Sequence, residues 1–339
     1  MKRFLSFSFL VKFLIALLAF GFVFYKLRFF YNTTGSLFPA SWIQSVHILT
    51  PSLMGLMILN WFLESLKWRK LLETVEKIPF KKSLQGVLTG ITLGLLTPKR
   101  IGDVGGRCLM LKKNSRKKGV LAFGVSSVLQ SIVTVLLGLV ALFVFAGFNF
   151  ISLKQELVLI ISALALFFIL VMIILNLPKI STWLGKIPFL ASQQETLKFL
   201  QNISFIQLAE AFLLSFLRYV VFSFQLFLLI RFSGISLGVL EIFAGTGLTY
   251  LLMSFFPLSS IAELGVRGSI AAFVFGWFLK DTGGVIMSVF GIWIINLALP
   301  ALLGTMLIFF TRSFNLGKIN LNQRNSLKLN FLTKPNRKL

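Results

Sequence analysis

The chain alternates long apolar runs with short, mostly basic polar breaks. Runs near Phe4–Tyr25, Ile43–Leu66, Val120–Phe148, Leu157–Leu177, Phe205–Ile230 and Val285–Phe310 are each long enough to cross a bilayer, since a helical span needs roughly 20 residues. They predict an all-α, polytopic membrane protein with about six spanning helices. Two stretches break the pattern. Ser83–Leu96 is apolar but only about 14 residues long, which is re-entrant rather than spanning length. Val239–Leu279 is apolar on both sides of a break at Pro257.

Charge fixes the threading. Cytoplasmic loops collect Lys and Arg, and Lys2, Arg3, Lys67, Arg69, Lys70, Lys77, Lys81 and Lys82 mark such segments. So do Lys112, Lys113, Arg116, Lys117 and Lys118. Because basic residues flank Ser83–Leu111 on both sides, that segment is expected to dip in and return, as a hairpin near 83–111. If Val285–Phe310 ends inside, Val239–Leu279 becomes a second hairpin, near 239–279, entering from the outer face. Val239–Phe256 and Ala262–Leu279 could instead span as a pair, with the same loops on the same sides. Span, hairpin, span then occurs twice with opposite orientation, the inverted-repeat arrangement of secondary transporters. The reading gives one transmembrane domain over 1–311 in the cytoplasmic membrane, a basic cytoplasmic tail over 312–339, and both termini on the cytoplasmic side.

Composition supports this and closes other routes. The chain is 57% hydrophobic with 39 Phe, far above a soluble domain. The net charge of +24 suits cytoplasmic loops and anionic headgroups, so no nucleic-acid partner is expected. Lys2 and Arg3 before an apolar run resemble a signal peptide, but the run is too long and no cleavage site follows. Cys108 and His47 are single, which excludes an intrachain disulfide, a cysteine metal cluster and most histidine-based acid–base chemistry. No cofactor or metal is expected. His47 reads as a packing residue.

The polar chemistry lies in two similar segments at the hairpin breaks. One runs Pro98-Lys99-Arg100-Ile101-Gly102-Asp103-Val104-Gly105-Gly106-Arg107 and the other Pro257-Leu258-Ser259-Ser260-Ile261-Ala262-Glu263-Leu264-Gly265-Val266-Arg267. In each, a carboxylate precedes an arginine by four residues, which puts both on one helix face. Ionisable groups at membrane depth are costly and mark function by default. Two readings follow. Each pair could neutralise itself and brace its hairpin. Alternatively Arg107 and Arg267 hold a phosphate-bearing headgroup, which a planar guanidinium fork suits, with Lys99, Arg100, Asp103 and Glu263 shaping the site. Pro98, Gly102, Gly105, Gly106, Pro257 and Gly265 would form the tips. Their glycines either offer N–H groups to an anion or let helices approach closely. Glu64 and Glu241 read as interfacial residues, while Glu210 and Arg218, about two turns apart on one helix, could both face a central cavity.

These segments resemble the diagnostic motifs of the lysylphosphatidylglycerol synthase transmembrane-region family, flippase-like membrane proteins that include the membrane domain of the multiple peptide resistance factor. The family's first motif reads Pro-x-Arg-x-Gly-Glu, then Arg; here it is Pro98 to Asp103, then Arg107. The second has Pro, a small-residue run, then Gly-x-Arg; here Pro257, Leu258, Ser259 and Ser260 precede Gly265-Val266-Arg267. Asp103 replaces the usual Glu, Arg107 sits one residue late, and Glu263 and Gly268 exchange the positions of the usual Gly and Glu. No aminoacyltransferase domain follows Phe310. The resemblance thus implies the flippase half without the synthase half: a non-enzymatic carrier of an anionic phospholipid or polyprenyl-phosphate-linked lipid. The alternatives are a non-transporting subunit that anchors a lipid enzyme, or a lipid-modifying enzyme. A second copy or a lipid enzyme is the protein partner expected.

Overall fold

The computed structural model describes residues 24–25, 28, 31–32, 35, 40–97, 100–148, 153–188, 192–255 and 260–310. The expected first span, Phe4–Tyr25, therefore falls almost wholly outside the described residues, as do the tail, Pro98, Lys99, Pro257 and the Glu263 side chain. Among the described residues all regular structure is helical. The long elements are α1 (Val46–Leu71), α2 (Phe80–Leu96), α3 (Ile101–Leu109), α4 (Arg116–Ala146), α5 (Leu153–Leu175), α6 (Phe205–Phe232), α7 (Val239–Ser254), α8 (Ser260–Phe275), α9 (Gly283–Trp293) and α10 (Leu299–Phe310). Five stretches are long and apolar enough to cross a membrane: Val46–Leu71, Lys113–Ala146, Leu157–Leu175, Phe205–Phe232 and Gly283–Ile308. The chain is a polytopic helical membrane protein. Its outer faces carry the apolar bulk, as on α5, where Ile161, Phe168, Ile169 and Met172 are exposed; in a bilayer, lipid solvates such a belt.

Two shorter pairs interrupt the long helices. At 17 and 9 residues, α2 and α3 are roughly 25 and 14 Å long at 1.5 Å per residue, short of a ~30 Å hydrocarbon core. They fold back on each other as a hairpin, and small residues set their distance. A Cβ on Gly106 would lie 2.6 Å from the Gly90 amide nitrogen, and one on Gly90 would lie 2.6 Å from the Asp103 carboxylate. Gly102 sits so close to the Leu93 carbonyl that no side chain fits. Thr97 closes the turn: its hydroxyl donates to the Leu93 carbonyl (2.8 Å) and accepts from the Gly102 amide (2.7 Å). The second hairpin pairs α7 with α8, with Gly245 under the Phe275 ring.

The two halves exchange partners. Helix α2 packs on α10, where the Thr92 hydroxyl donates to the Ala301 carbonyl at 2.9 Å. Helix α7 packs on α4, with Gly247 against Ala141 and Gly138 against Leu251. The leading long helices α1 and α6 pack on each other. Thus each hairpin leans on the closing helix of the other half, a reciprocal pattern that brings both hairpins to one centre.

Local chemistry explains several boundaries. Ser204 and Gln207 form a capping box at the start of α6, and Gln207 Nε2 donates to the Lys70 carbonyl near the end of α1 (3.2 Å). This satisfies one carbonyl that a helix terminus leaves open. Between α9 and α10 a π turn covers Ile294–Ala298, just before Pro300, whose missing N–H breaks the regular ladder. In the loop after α1, the Glu76 carboxylate accepts from the Lys112 amide at 2.9 Å and faces Lys82. Partial burial opposes its ionisation, but these partners win and hold its carboxyl below the usual range, which ties both ends of the first hairpin together.

Candidate functional site

Residues from both halves enclose a cavity of about 950 Å³. Its wall includes Arg100, Asp103 and Arg107 from the first hairpin and Arg267 from the second, so both sequence segments meet there. Glu64 and Lys67 come from α1, Gln130 from α4 and Arg218 from α6. Five cationic and two anionic side chains therefore line it among the described residues, so positive charge predominates.

Glu64 is the hub. Its Oε1 accepts from Arg107 Nη1 at 2.5 Å, and its Oε2 accepts from Arg218 Nη1 and lies 3.0 Å from Lys67 Nζ. Arg107 Nε donates to Asp103 Oδ1 at 2.7 Å, so the pair read from i,i+4 spacing exists, but its arginine also reaches a second carboxylate 43 positions away. The Arg107 guanidinium lies 5.1 Å from the Phe123 ring and 5.7 Å from that of Trp68, favourable cation–π placements. Gln130 Oε1 accepts from both Lys67 and Arg218 at 3.3 Å. A neutral chain continues from there: Arg218 Nε to Asn60 (2.9 Å), Asn60 to Asn296 (3.2 Å), and Asn296 to Gln225 (2.8 Å). The π turn holds Asn296 at this point in the chain.

Burial explains why the network is so complete. Glu64, Lys67, Asp103 and Arg107 are each at least nine-tenths buried, and a buried charge is tolerated only with well-placed partners.

Arg100 has φ +56°, the only left-handed residue other than glycine among those described. This conformation costs roughly 1–2 kcal/mol for a side-chain-bearing residue. In exchange the arginine, 4.0 Å from Asp103, adds charge to the cavity wall.

The structure separates the glycines by role. Gly102 and Gly106 face backbone, and the Gly102 amide is already bonded to Thr97; these are packing glycines. Gly105 faces open space and lines the cavity, and Gly265 is buried within α8. The cavity wall also carries exposed residues, among them Ile101 (66%) on α3 and Val120 (49%) on α4 and the polar Ser127. Exposed apolar side chains and buried charged ones thus share one wall.

Three expectations change. Glu64 is not interfacial: α1 continues past it to Leu71 and packs it against α6 and the first hairpin. Its place was signalled by Asn60, Glu64 and Lys67, whose 4,3 spacing puts three polar groups on one face of an apolar helix. Glu210 does not join Arg218 in the cavity; it pairs with Lys70 at 3.2 Å, half-exposed. Their eight-residue separation turns the side chains roughly 80° apart. His47 is exposed near the start of α1 rather than packed. Glu241 lies in the first turn of α7, where it accepts from the Gly238 amide at 2.7 Å.

Among known proteins, the family described as Lysylphosphatidylglycerol synthase TM region matches residues 9–316. No curated protein and no solved structure matches the chain.

Proposed function

The chain belongs to the lysylphosphatidylglycerol synthase transmembrane-region family, and from that premise we propose that it carries an anionic lipid between leaflets, acting as a transporter rather than an enzyme. One observation carries this reading: cationic residues of both hairpins line a single cavity whose wall also carries the exposed apolar side chains of Ile101 and Val120. Such a cavity can take a phosphate-bearing headgroup while the acyl or prenyl tails stay in the bilayer outside Ile101 and Val120. Arginine is suited to the phosphate by its bidentate fork, and Arg107, Arg218 and Arg267 supply three such groups.

In this reading the two hairpins are re-entrant and approach from opposite membrane faces, the second inverted relative to the first. Short, broken helices meeting at mid-membrane are a recurrent transporter design, and non-helical backbone at that depth is tolerated only where protein or a water-filled cavity satisfies it. The reciprocal packing of α2 on α10 and α7 on α4 supports such a repeat. Flanking Lys and Arg orient the chain with both termini on the cytoplasmic side of the cytoplasmic membrane. The substrate class is an anionic phospholipid or a polyprenyl-phosphate-linked lipid.

Reconstitution tests it. Purified protein in liposomes should speed leaflet exchange of a fluorescent lipid with an anionic headgroup well above that of its zwitterionic counterpart. Equal exchange of both, or no exchange of either, would overturn the proposal.

A further inference from the structure

In the described state the anion-holding guanidinium groups are already occupied, and by a group of the protein itself. The Glu64 carboxylate accepts from Arg107 on one oxygen and from Arg218 on the other. These arginines belong to different halves of the fold: one to the first hairpin, the other to the long helix that opens the second half. A carboxylate bridging two forked donors has the same donor demand as two oxygens of a phosphate. We propose that Glu64 is an internal competing anion: the substrate phosphate displaces it from Arg107 and Arg218, and its return expels the headgroup.

Three features make displacement feasible. First, Glu64 lines the cavity, so an incoming anion reaches the groups it occupies. Second, Lys67 lies 3.0 Å from Glu64 on the same helix and bonds Gln130. When the guanidinium groups turn to a ligand, the carboxylate keeps one cationic partner and is not stranded, which in a buried site would be strongly unfavourable. Third, the cavity holds five cationic against two anionic side chains among the described residues. It can therefore admit a doubly charged phosphate without building up negative charge. Asp103 does not share this role, since it contacts Arg107 and Arg100 within its own hairpin and bridges no second half.

The idea also gives the bridge a mechanical meaning. With Glu64 in place, Arg107 and Arg218 are drawn to one point and the halves are latched. With a phosphate there instead, the latch passes through the ligand. A carrier of this kind holds its resting state closed without a bound lipid, and each headgroup must compete to open it.

This inference rests on the anionic-headgroup reading above. Its test is thermal unfolding of the detergent-purified chain at rising inorganic phosphate, with ionic strength held constant by chloride. Glu64→Gln should melt lower than wild type without phosphate and be rescued by it. Its half-maximal phosphate concentration should lie about 10- to 100-fold below the wild-type value, the span expected when a charged hydrogen-bonding competitor is removed. Glu64→Asp keeps the charge but withdraws it by one methylene; it should shift the response in the same direction by less, and it carries the test if the Gln variant does not fold. Glu210→Gln, which removes a carboxylate that pairs with Lys70 outside the cavity, should leave the half-maximal concentration within a factor of two or three of wild type.

If the Glu64 variants respond to phosphate only as wild type does, competition is refuted while the anionic site stands. If Glu210→Gln sensitises as strongly as Glu64→Gln, the effect is general charge removal and the specific role is refuted. If no form responds to phosphate, the anionic-headgroup reading fails and takes this inference with it.

Discussion

Replacing Arg107 by alanine is expected to destabilise the protein by about 3–5 kcal/mol, the usual cost of leaving a buried partner charge uncompensated. The guanidinium joins Asp103 at 2.7 Å to Glu64 at 2.5 Å, and both carboxylates are buried. Without it, the ion pair left to Asp103 among the described residues is the more exposed Arg100, 4.0 Å away, and Glu64 must rely on Arg218 and Lys67. Removing Asp103 as well should restore part of the loss, because the stranded charge goes with its partner. Thermal unfolding of Arg107→Ala, Asp103→Ala and the double variant therefore forms a double-mutant cycle. A coupling above about 1 kcal/mol is predicted. Strict additivity would show that the buried pair contributes little beyond its separate contacts.

A leucine at Gly106 should be equally damaging, for a steric reason. Its Cβ would meet the Gly90 nitrogen at 2.6 Å and the Gly90 Cα and Thr89 carbonyl carbon at 2.7 Å. These are backbone atoms and cannot rotate away, so α2 and α3 must part. Overpacking typically costs about 1–3 kcal/mol and more where backbone is forced; about 3 kcal/mol or more is expected here. Parting the helices also withdraws Arg107 from Glu64, so leaflet exchange should fall with stability. The neighbouring glycine supplies the contrast. A Cβ on Gly105 meets nothing within 4 Å, and alanine there should be neutral or stabilising, since a helix gains up to ~1 kcal/mol by that exchange. Similar unfolding temperatures for Gly106→Leu and Gly105→Ala would contradict the close-packed hairpin.

Much of this architecture was legible in the sequence because the bilayer imposes simple rules. Run length separated spans from the short apolar arm of the first hairpin, but the glycines expected to break the helix at its tip, Gly102, Gly105 and Gly106, lie inside α3, where close packing rather than a turn requires Gly102 and Gly106. Asp103 and Arg107 paired as their spacing required, since neighbours on one helix need no tertiary information. Two proline-bearing segments of matching chemistry also pointed to a shared centre, and Arg107 and Arg267 do line one cavity. What one-dimensional reading missed was the direction in which a lone charge faces. Glu64 lies near the end of an apolar run, where an interfacial residue and a cavity hub look alike. Only the packing of α1 against α6 and the first hairpin tells them apart. Glu210 failed for the converse reason: its distance from Arg218 counted turns correctly, but the leftover rotation took it off the cavity face. Gln130 and Asn296 gave no signal, because single amides in apolar helices acquire meaning only when tertiary contacts join them.

The central claim is that both hairpins serve one headgroup site, and Arg267 tests it most directly. It lines the cavity from the second hairpin and takes no part in the Glu64 bridge. The decisive measurement is the rate at which a fluorescent anionic phospholipid changes leaflet in liposomes carrying Arg267→Gln, compared with wild type at equal protein content and equal melting temperature. The account predicts a fall of about tenfold or more, the scale of one charged hydrogen-bonding group. Exchange at the wild-type rate in the folded variant would contradict it.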